Sequence, residues 1–216
     1  MTEGKFKIAV IGGTGAEGSG LALRWAYAGH HVLIGSREPE KARLVAAELN
    51  GLLPSAAIEG LDSAGAVRQC DIAVLTVPFA AQIPTLAGLH AELQGKILID
   101  VTVPLVPPKV SRVQLPPGGS CVVAAQKTLG AGVRVVSAFQ NVSAHKLKKL
   151  DHSIACDVLI CGDDKEARQI VIGLARDAGL RGVDAGPLDN SVAAEALTSL
   201  LIWINRTYKV SDSGIA

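Results

Sequence analysis

Lys7-Ile8-Ala9-Val10-Ile11-Gly12-Gly13-Thr14-Gly15-Ala16-Glu17-Gly18 is the stretch on which the fold turns. Lys7 to Ile11 is a short apolar run that ends in glycines, and it reads as a buried strand. From Gly18 to Ala28 the apolar residues Leu21, Leu23, Trp25 and Ala28 predict a helix, which Gly29 stops. The pattern G-x-G-x-x-G thus falls at Gly13, Gly15 and Gly18, between a strand and a helix, the context that gives this otherwise common pattern a meaning. Gly13 permits a tight turn, Gly15 lets the backbone approach a pyrophosphate, and Gly18 lets the helix sit close to the strand. The free N–H groups and partial positive charge of the helix start, over Thr14, Ala16 and Glu17, suit phosphate oxygens.

Outward from this unit, strand and helix alternate. Strands are expected at His31–Gly35, near Ala56–Glu59, at Asp71–Val77 (ended by Pro78), at Lys96–Val101 and at Arg134–Phe139. Helices are expected at Glu38–Asn50, Ser63–Gln69, Ala81–Leu93 and Cys121–Leu129. Residues 104–117 hold five prolines and read as a loop. Continuous apolar strands separated by helices pair in parallel with both sheet faces covered, so the fold class is α/β, a Rossmann-type doubly wound parallel sheet. After about residue 145 the composition changes. His145–Asp151 is a basic link, followed by strand Ile154–Cys161, helix Lys165–Ala178, strand Gly182–Ala185 and a long helix Asn190–Tyr208. The expected organisation is a dinucleotide-binding domain over residues 1–145 and a small C-terminal α/β domain over 146–216.

The end of the second strand selects the dinucleotide. An NAD site places an Asp or Glu there to accept from the ribose hydroxyls. This chain has Gly35-Ser36-Arg37, with Lys41 one helical turn on. Ser36, Arg37 and Lys41 supply the charge-assisted donors that a 2′-phosphate wants, so NADP(H) is expected. Arg37 and Lys41 would otherwise oppose the dipole of the helix they start, a conflict that a bound anion removes; Glu38 and Glu40 lessen it.

Bulk properties exclude several classes. Of 216 residues, 49% are apolar and 19% charged, which excludes disorder. A net charge of +1 offers no field for nucleic acid or an anionic membrane, and 3% aromatics offer no stacking platform. No secretory signal is visible, and the most apolar long segment, Val192–Ile204, is too short to span a bilayer and contains Glu195. A cytoplasmic protein is expected. Cys70, Cys121, Cys156 and Cys161 form no C-x-x-C pair and no zinc set, so buried thiols and no metal are expected. His30, His31, His90, His145 and His152 read as surface or capping residues.

The chain resembles the NADPH-dependent reductases of the deazaflavin coenzyme F420 (F420H2:NADP oxidoreductases). The resemblance is carried by Ile11 to Gly18, by Gly35-Ser36-Arg37 with Lys41, and by Cys70 to Pro78. It continues through Val136 to Phe139, Cys156-Asp157-Val158, Cys161-Gly162-Asp163-Asp164 and Asp184-Ala185-Gly186-Pro187-Leu188. It covers nearly the whole chain in order, and the last two motifs are the more specific ones. It implies hydride exchange between nicotinamide C4 of NADP(H) and deazaflavin C5, with coenzyme F420 as substrate. It places Val77, Pro78 and Ala138 on the cofactor and Phe79, Phe139, Gln140, Asn141 and Val142 along the acceptor cleft, to which the C-terminal domain contributes. Gln140-Asn141-Val142 stands where many members carry a histidine; amides hydrogen-bond a planar ring but carry no charge.

Hydride transfer between stacked rings needs alignment more than acid–base help, so no catalytic residue is expected beyond those that position the rings. Two other readings share the same cofactor site: an NADPH-dependent reductase of an imine or other small organic acceptor, and a non-catalytic NADPH-sensing protein. The apolar face of the last helix, with Leu197, Leu200, Leu201, Ile204 and Tyr208, is expected to pack in the core or form a homodimer seam. The resemblance further implies that the Ser213-Gly214-Ile215 tail closes over the cleft.

Overall fold

The computed structural model describes residues 4–210 and 213–216. The chain runs β1 (Lys7–Ile11), α1 (Ala16–Tyr27), β2 (His31–Ser36), α2 (Pro39–Asn50), β3 (Ile58–Asp62), α3 (Ser63–Gln69), β4 (Ile72–Leu75), α4 (Phe79–Gly88), α5 (His90–Leu93) and β5 (Ile97–Asp100). It continues through α6 (Cys121–Leu129), β6 (Arg134–Ser137), α7 (Ala144–Leu147), β7 (Asp157–Gly162), α8 (Lys165–Asp177), β8 (Arg181–Asp184) and α9 (Ser191–Tyr208). The sheet order is β3-β2-β1-β4-β5-β6-β7-β8. The first six strands are mutually parallel and follow the doubly wound 3-2-1-4-5-6 order. β7 joins β6 antiparallel, and β8 pairs parallel to β7.

Strand alternation sends successive side chains to opposite faces. On β1, Ile8 and Val10 enter one core with Trp25, Val74 and Ile99, while Ala9 and Ile11 enter the other with Leu75, Leu98 and Cys121. That is why these strands read as unbroken apolar runs: neither face meets water. The first of these cores runs on without interruption through Leu147, Val158, Val171 and Leu174.

The strands expected at Ala56–Glu59, Asp71–Val77 and Ile154–Cys161 run over Ile58–Asp62, Ile72–Leu75 and Asp157–Gly162, and three further elements depart more deeply from the sequence reading. The helix expected over Ala81–Leu93 is two, α4 and α5, meeting at Leu89; α4 starts earlier and carries Pro84 inside it. The strand expected to reach Phe139 ends at Ser137, because Phe139 takes a left-handed φ of 73° and turns the chain inward. The basic link contains α7 and is bound to the fold. Arg24 on α1 is buried and donates to the carbonyls of Leu147, Lys149 and Ala178 at 2.7, 2.8 and 2.9 Å. Gly20 makes this docking possible, since a Cβ there would lie 2.4 Å from Leu147 Cβ.

His30 is not at the surface. It is buried, with Nδ1 accepting from Phe6 N and Nε2 3.0 Å from Asp177. All four thiols are free and buried, and no helix among the described residues is long and apolar enough to cross a membrane.

Candidate active site

β1 and β4 are neighbours, yet the chain leaves β1 for β2 on one side and later crosses to β4 on the other. The loops at their C-terminal ends therefore diverge, and open α/β sheets bind ligands in the crevice so formed. A cavity of about 780 Å³ lies at this point, within the ordinary range for a ligand cleft. The β1–α1 loop contributes Thr14, Gly15, Ala16 and Glu17 to its wall, the end of β2 contributes Ser36 and Arg37, and α2 contributes Lys41. The turn after β4 contributes Val77, Pro78 and Phe79.

The glycines divide the work differently from the sequence reading. Gly12, not Gly13, makes the tight turn: its φ is +79°, and a Cβ there would lie 2.9 Å from the Thr76 carbonyl oxygen. Gly13 is required for space, since a Cβ would lie 2.8 Å from the Val10 carbonyl oxygen. At Gly18 a Cβ would lie 2.4 Å from Thr76 Oγ1 and 2.7 Å from Gly13 Cα, so this glycine holds α1 against the β1 and β4 ends. Gly15 faces outward and is the N-cap of α1 with no side-chain cap. The first-turn N–H groups therefore remain available to an anion, as at any uncapped helix start.

At the other end of the cavity Arg37 and Lys41 are exposed, and among the described residues neither takes part in an ion pair. Glu40, which threatened to neutralise them, is held by Arg43 on the outer face of α2. Ser36 Oγ accepts from Glu38 N at 3.1 Å, which leaves its own proton free to donate. This donor set fits a phosphate beyond the adenosine ribose.

Ala138, Phe139, Gln140, Asn141 and Val142 are all buried and do not line this cavity. The left-handed turn at Phe139 drives its ring into the core, edge-on to Trp25 with centroids 5.8 Å apart. Gln140 Nε2 donates to Asp100 O at 2.8 Å and Asn141 Nδ2 donates to Asp157 O at 2.7 Å. The remaining amide oxygens, Gln140 Oε1 and Asn141 Oδ1, are buried without a partner. The cavity wall also includes residues that belong to no motif: Thr85 on α4, Val101, Thr102 and Val103 after β5, and Leu105 and Val110 in the proline-rich loop. The signal for them was topological, since every loop after a parallel strand opens on this edge.

Two carboxyls lie near the crevice, Asp100 fully buried and Glu17 half-buried with its Oε1 enclosed. Asp100, at the end of β5, accepts from Gln82 Nε2 at 2.6 Å and from Thr102 N at 2.9 Å, and burial pushes it up to about 6 against the pull of these donors. Glu17 is raised further, to about 8, by burial alone, and its Oε1 has no partner. Among the described residues no cluster of three or more His, Cys, Asp or Glu could hold a metal ion.

Residues 7–104 match the family described as coenzyme F420-dependent NADP oxidoreductase. The chain is 41% identical to the F420-dependent NADP reductase of Methanocaldococcus jannaschii, over 97% of this chain and 96% of that protein. It is 38% identical to the F420-dependent NADP reductase of Methanothermobacter thermautotrophicus, over 97% and 93% of the two chains. A solved structure from Arthrobacter sp. FB24, assigned as an F420-dependent NADP-reductase, superposes with a TM-score of 0.78 at 26% identity, covering 98% of this chain and 99% of its own. Because this likeness extends over the whole length and not the dinucleotide loop alone, the chain belongs to the F420-dependent NADP oxidoreductase family.

Proposed function

We propose that the protein transfers a hydride between NADP(H) and the deazaflavin coenzyme F420. The observation that carries this reading is Arg37 after β2 and Lys41 on α2, without an ion-pair partner among the described residues and in one cavity with the uncapped N-terminus of α1. A dinucleotide pyrophosphate would rest on the Gly15 and Ala16 backbone, with the extra phosphate held by Ser36, Arg37 and Lys41. The nicotinamide would then reach Val77, Pro78 and Phe79, the wall that follows β4. When bound, the nicotinamide supplies a hydride from C4 and the deazaflavin takes it at C5; the chain's part is to align the two rings and to exclude water.

Residues 146–216 would complete the acceptor side as a small C-terminal unit, with the unpaired Gln140 Oε1 and Asn141 Oδ1 on that same side. The tail supports this placement: Ile215 O accepts from Asp157 N at 2.6 Å, at the start of β7. We infer a homodimer in addition, because Leu200, Trp203 and Tyr208 leave an apolar face of α9 exposed to solvent. Four free, buried thiols support a reducing compartment, hence a cytoplasmic location.

Purified protein mixed with NADPH and oxidised coenzyme F420 tests the reading, with the absorbance of both followed together. Equal loss of the two chromophores is the expected result. Silence on the deazaflavin with turnover of a cyclic imine would move the assignment to the other acceptor class. Tight NADPH binding with no turnover on either would leave a sensor.

A further inference from the structure

Four ionisable side chains line the cavity, namely Glu17, Arg37, Glu38 and Lys41, and three of them are exposed at the adenosine end. Glu17 alone is half-buried, with one carboxyl oxygen enclosed. It sits in the first turn of α1, two residues past the N-cap, where a carboxylate would ordinarily stay in water and cap the helix. Here Oε1 is buried and, among the described residues, has neither a hydrogen-bond partner nor a cation to balance a negative charge. A charged carboxylate at this place would also repel the pyrophosphate that the adjoining backbone is shaped to receive. Both conflicts vanish if the group carries a proton. Glu17 and Lys146 on α7 both act on the thiol of Cys156, just before β7. Gly20, one turn further along α1, packs against Leu147 of α7, so this face of α1 lies beside the segment that leads into the C-terminal unit.

We propose that Glu17 is a catalytic proton donor, its protonated Oε1 supplying the proton that accompanies the hydride into the acceptor ring. The inference rests on the NADP(H)–deazaflavin reading. In the balanced step the nicotinamide C4–H bond breaks and the deazaflavin C5–H bond forms, so NADPH is oxidised and the ring reduced. The electron pair displaced from C5 moves through the conjugated system to a ring nitrogen, which takes the proton from Glu17 Oε1, and the carboxylate is reloaded from water. In the reverse direction the carboxylate accepts that proton. Burial keeps the group loaded at neutral pH, with a midpoint of about 8, near the value at which a general acid works best.

The decisive variant is Glu17→Gln, which keeps shape and neutrality but cannot transfer a proton. With glutamate side chains labelled at the carboxyl carbon, the resonance lost in E17Q should titrate near 8 in the protein without coenzyme. A midpoint in the ordinary carboxylate range overturns the proposal. In single turnovers of NADPH with oxidised coenzyme F420, E17Q should bind NADPH within about twofold of wild type and reduce the deazaflavin roughly 100-fold more slowly. The wild-type rate should decline above pH 8 and that of E17Q should not. Full activity in E17Q with an unchanged pH profile overturns the role of Glu17 and leaves the hydride reading standing. A parallel loss of NADPH affinity would make Glu17 a binding residue and overturns it too. A wild-type protein inert towards the deazaflavin removes both.

Discussion

Arg24 on α1 donates from Nε to the carbonyl oxygen of Leu147 at 2.7 Å, a bond that spans 123 positions of the chain. It fastens the segment leading into the C-terminal unit onto the back of the same helix whose front end meets the cavity. Burial lowers the guanidinium from its usual range without neutralising it, and the cluster of backbone carbonyls around it replaces the water it has lost. Geometry at the glycine loop and geometry at the acceptor side are therefore set by one rigid element.

Arg24→Ala should accordingly be costly. It strips several buried carbonyls of their donor, and each unsatisfied group costs about 1–3 kcal/mol. A total loss of about 3 kcal/mol or more is expected, or a melting temperature lower by about 6–12 °C. Thermal denaturation measures it. Limited proteolysis should show new cleavage at Lys146, Lys148 and Lys149, and an unchanged cleavage pattern would show that the staple does not hold this segment.

Local order was legible in the sequence where local chemistry makes it. α3 and α6 occupy the expected residues because Asp62 and Ser120 cap them, accepting from Gly65 N at 2.7 Å and Val123 N at 3.0 Å. β3 gave a weak signal for a physical reason: Gly60 interrupts it so that α2 can approach, a Cβ there falling 2.3 Å from the Ala42 backbone. What could not be read is long-range. Nothing near Arg24, Phe139 or Glu195 announces its partner. Glu195 on α9 accepts from Ser120 Oγ at 2.5 Å and Cys121 N at 2.9 Å, and so closes the start of α6 from the far end of the chain. The stretches of cavity wall built from consecutive residues, Thr14 to Glu17 and Ser36-Arg37, were visible, whereas the stretches from separate loops, such as Thr85, Val101 to Val103 and Val110, carried no local signal.

Arg37→Ala tests the choice of dinucleotide. A charge-assisted contact to a phosphate is worth about 1.5–3 kcal/mol, so the NADPH Michaelis constant should rise roughly 10- to 100-fold. The NADH value should stay within about twofold of wild type, since that coenzyme lacks the extra phosphate. Lys41→Ala should act in the same direction and more weakly, because an ammonium makes no fork of bonds. Steady-state kinetics with both coenzymes give the answer, and equal effects on the two would remove the assignment of Arg37 to the 2′-phosphate.

Gly18→Ala tests the close approach of α1 to the sheet. The added methyl would press on Thr76 Oγ1 at 2.4 Å and on the Gly13 backbone at 2.7 Å. The hydroxyl can rotate away from Ile11 O, but the backbone cannot yield cheaply. Overpacking of this kind costs about 1–3 kcal/mol. The helix start should shift away from the loop, and NADPH affinity should fall at least about tenfold. Isothermal titration beside a thermal melt separates the two effects. A variant of lowered stability and intact affinity would show that the loop keeps its shape without this contact.

Glu17 also leaves a mark on stability that can be read without any coenzyme. In the unfolded chain its carboxyl titrates near 4.5, and in the fold it holds the proton up to about 8. Between these values the native state binds more protons than the unfolded state, so stability is greatest below the lower value and is lost as pH rises towards the upper one. Asp100 contributes in the same direction but only up to about 6. His30 acts oppositely: burial lowers it from 6.5, so its effect ends once the unfolded histidine is neutral at about that pH. The four thiols, all raised by burial, act in the same direction as Glu17 but only as pH approaches that of a free thiol, so from pH 6.5 to 8 most of the slope belongs to Glu17. One proton carries at most about 1.4 kcal/mol per pH unit, so wild type should lose about 1–2 kcal/mol over this window. That is about 2–8 °C in melting temperature. E17Q has no proton to release and should lose none of it, ending more stable than wild type at pH 8. Parallel melting curves for the two proteins across the window would mean that Glu17 is already ionised in the fold.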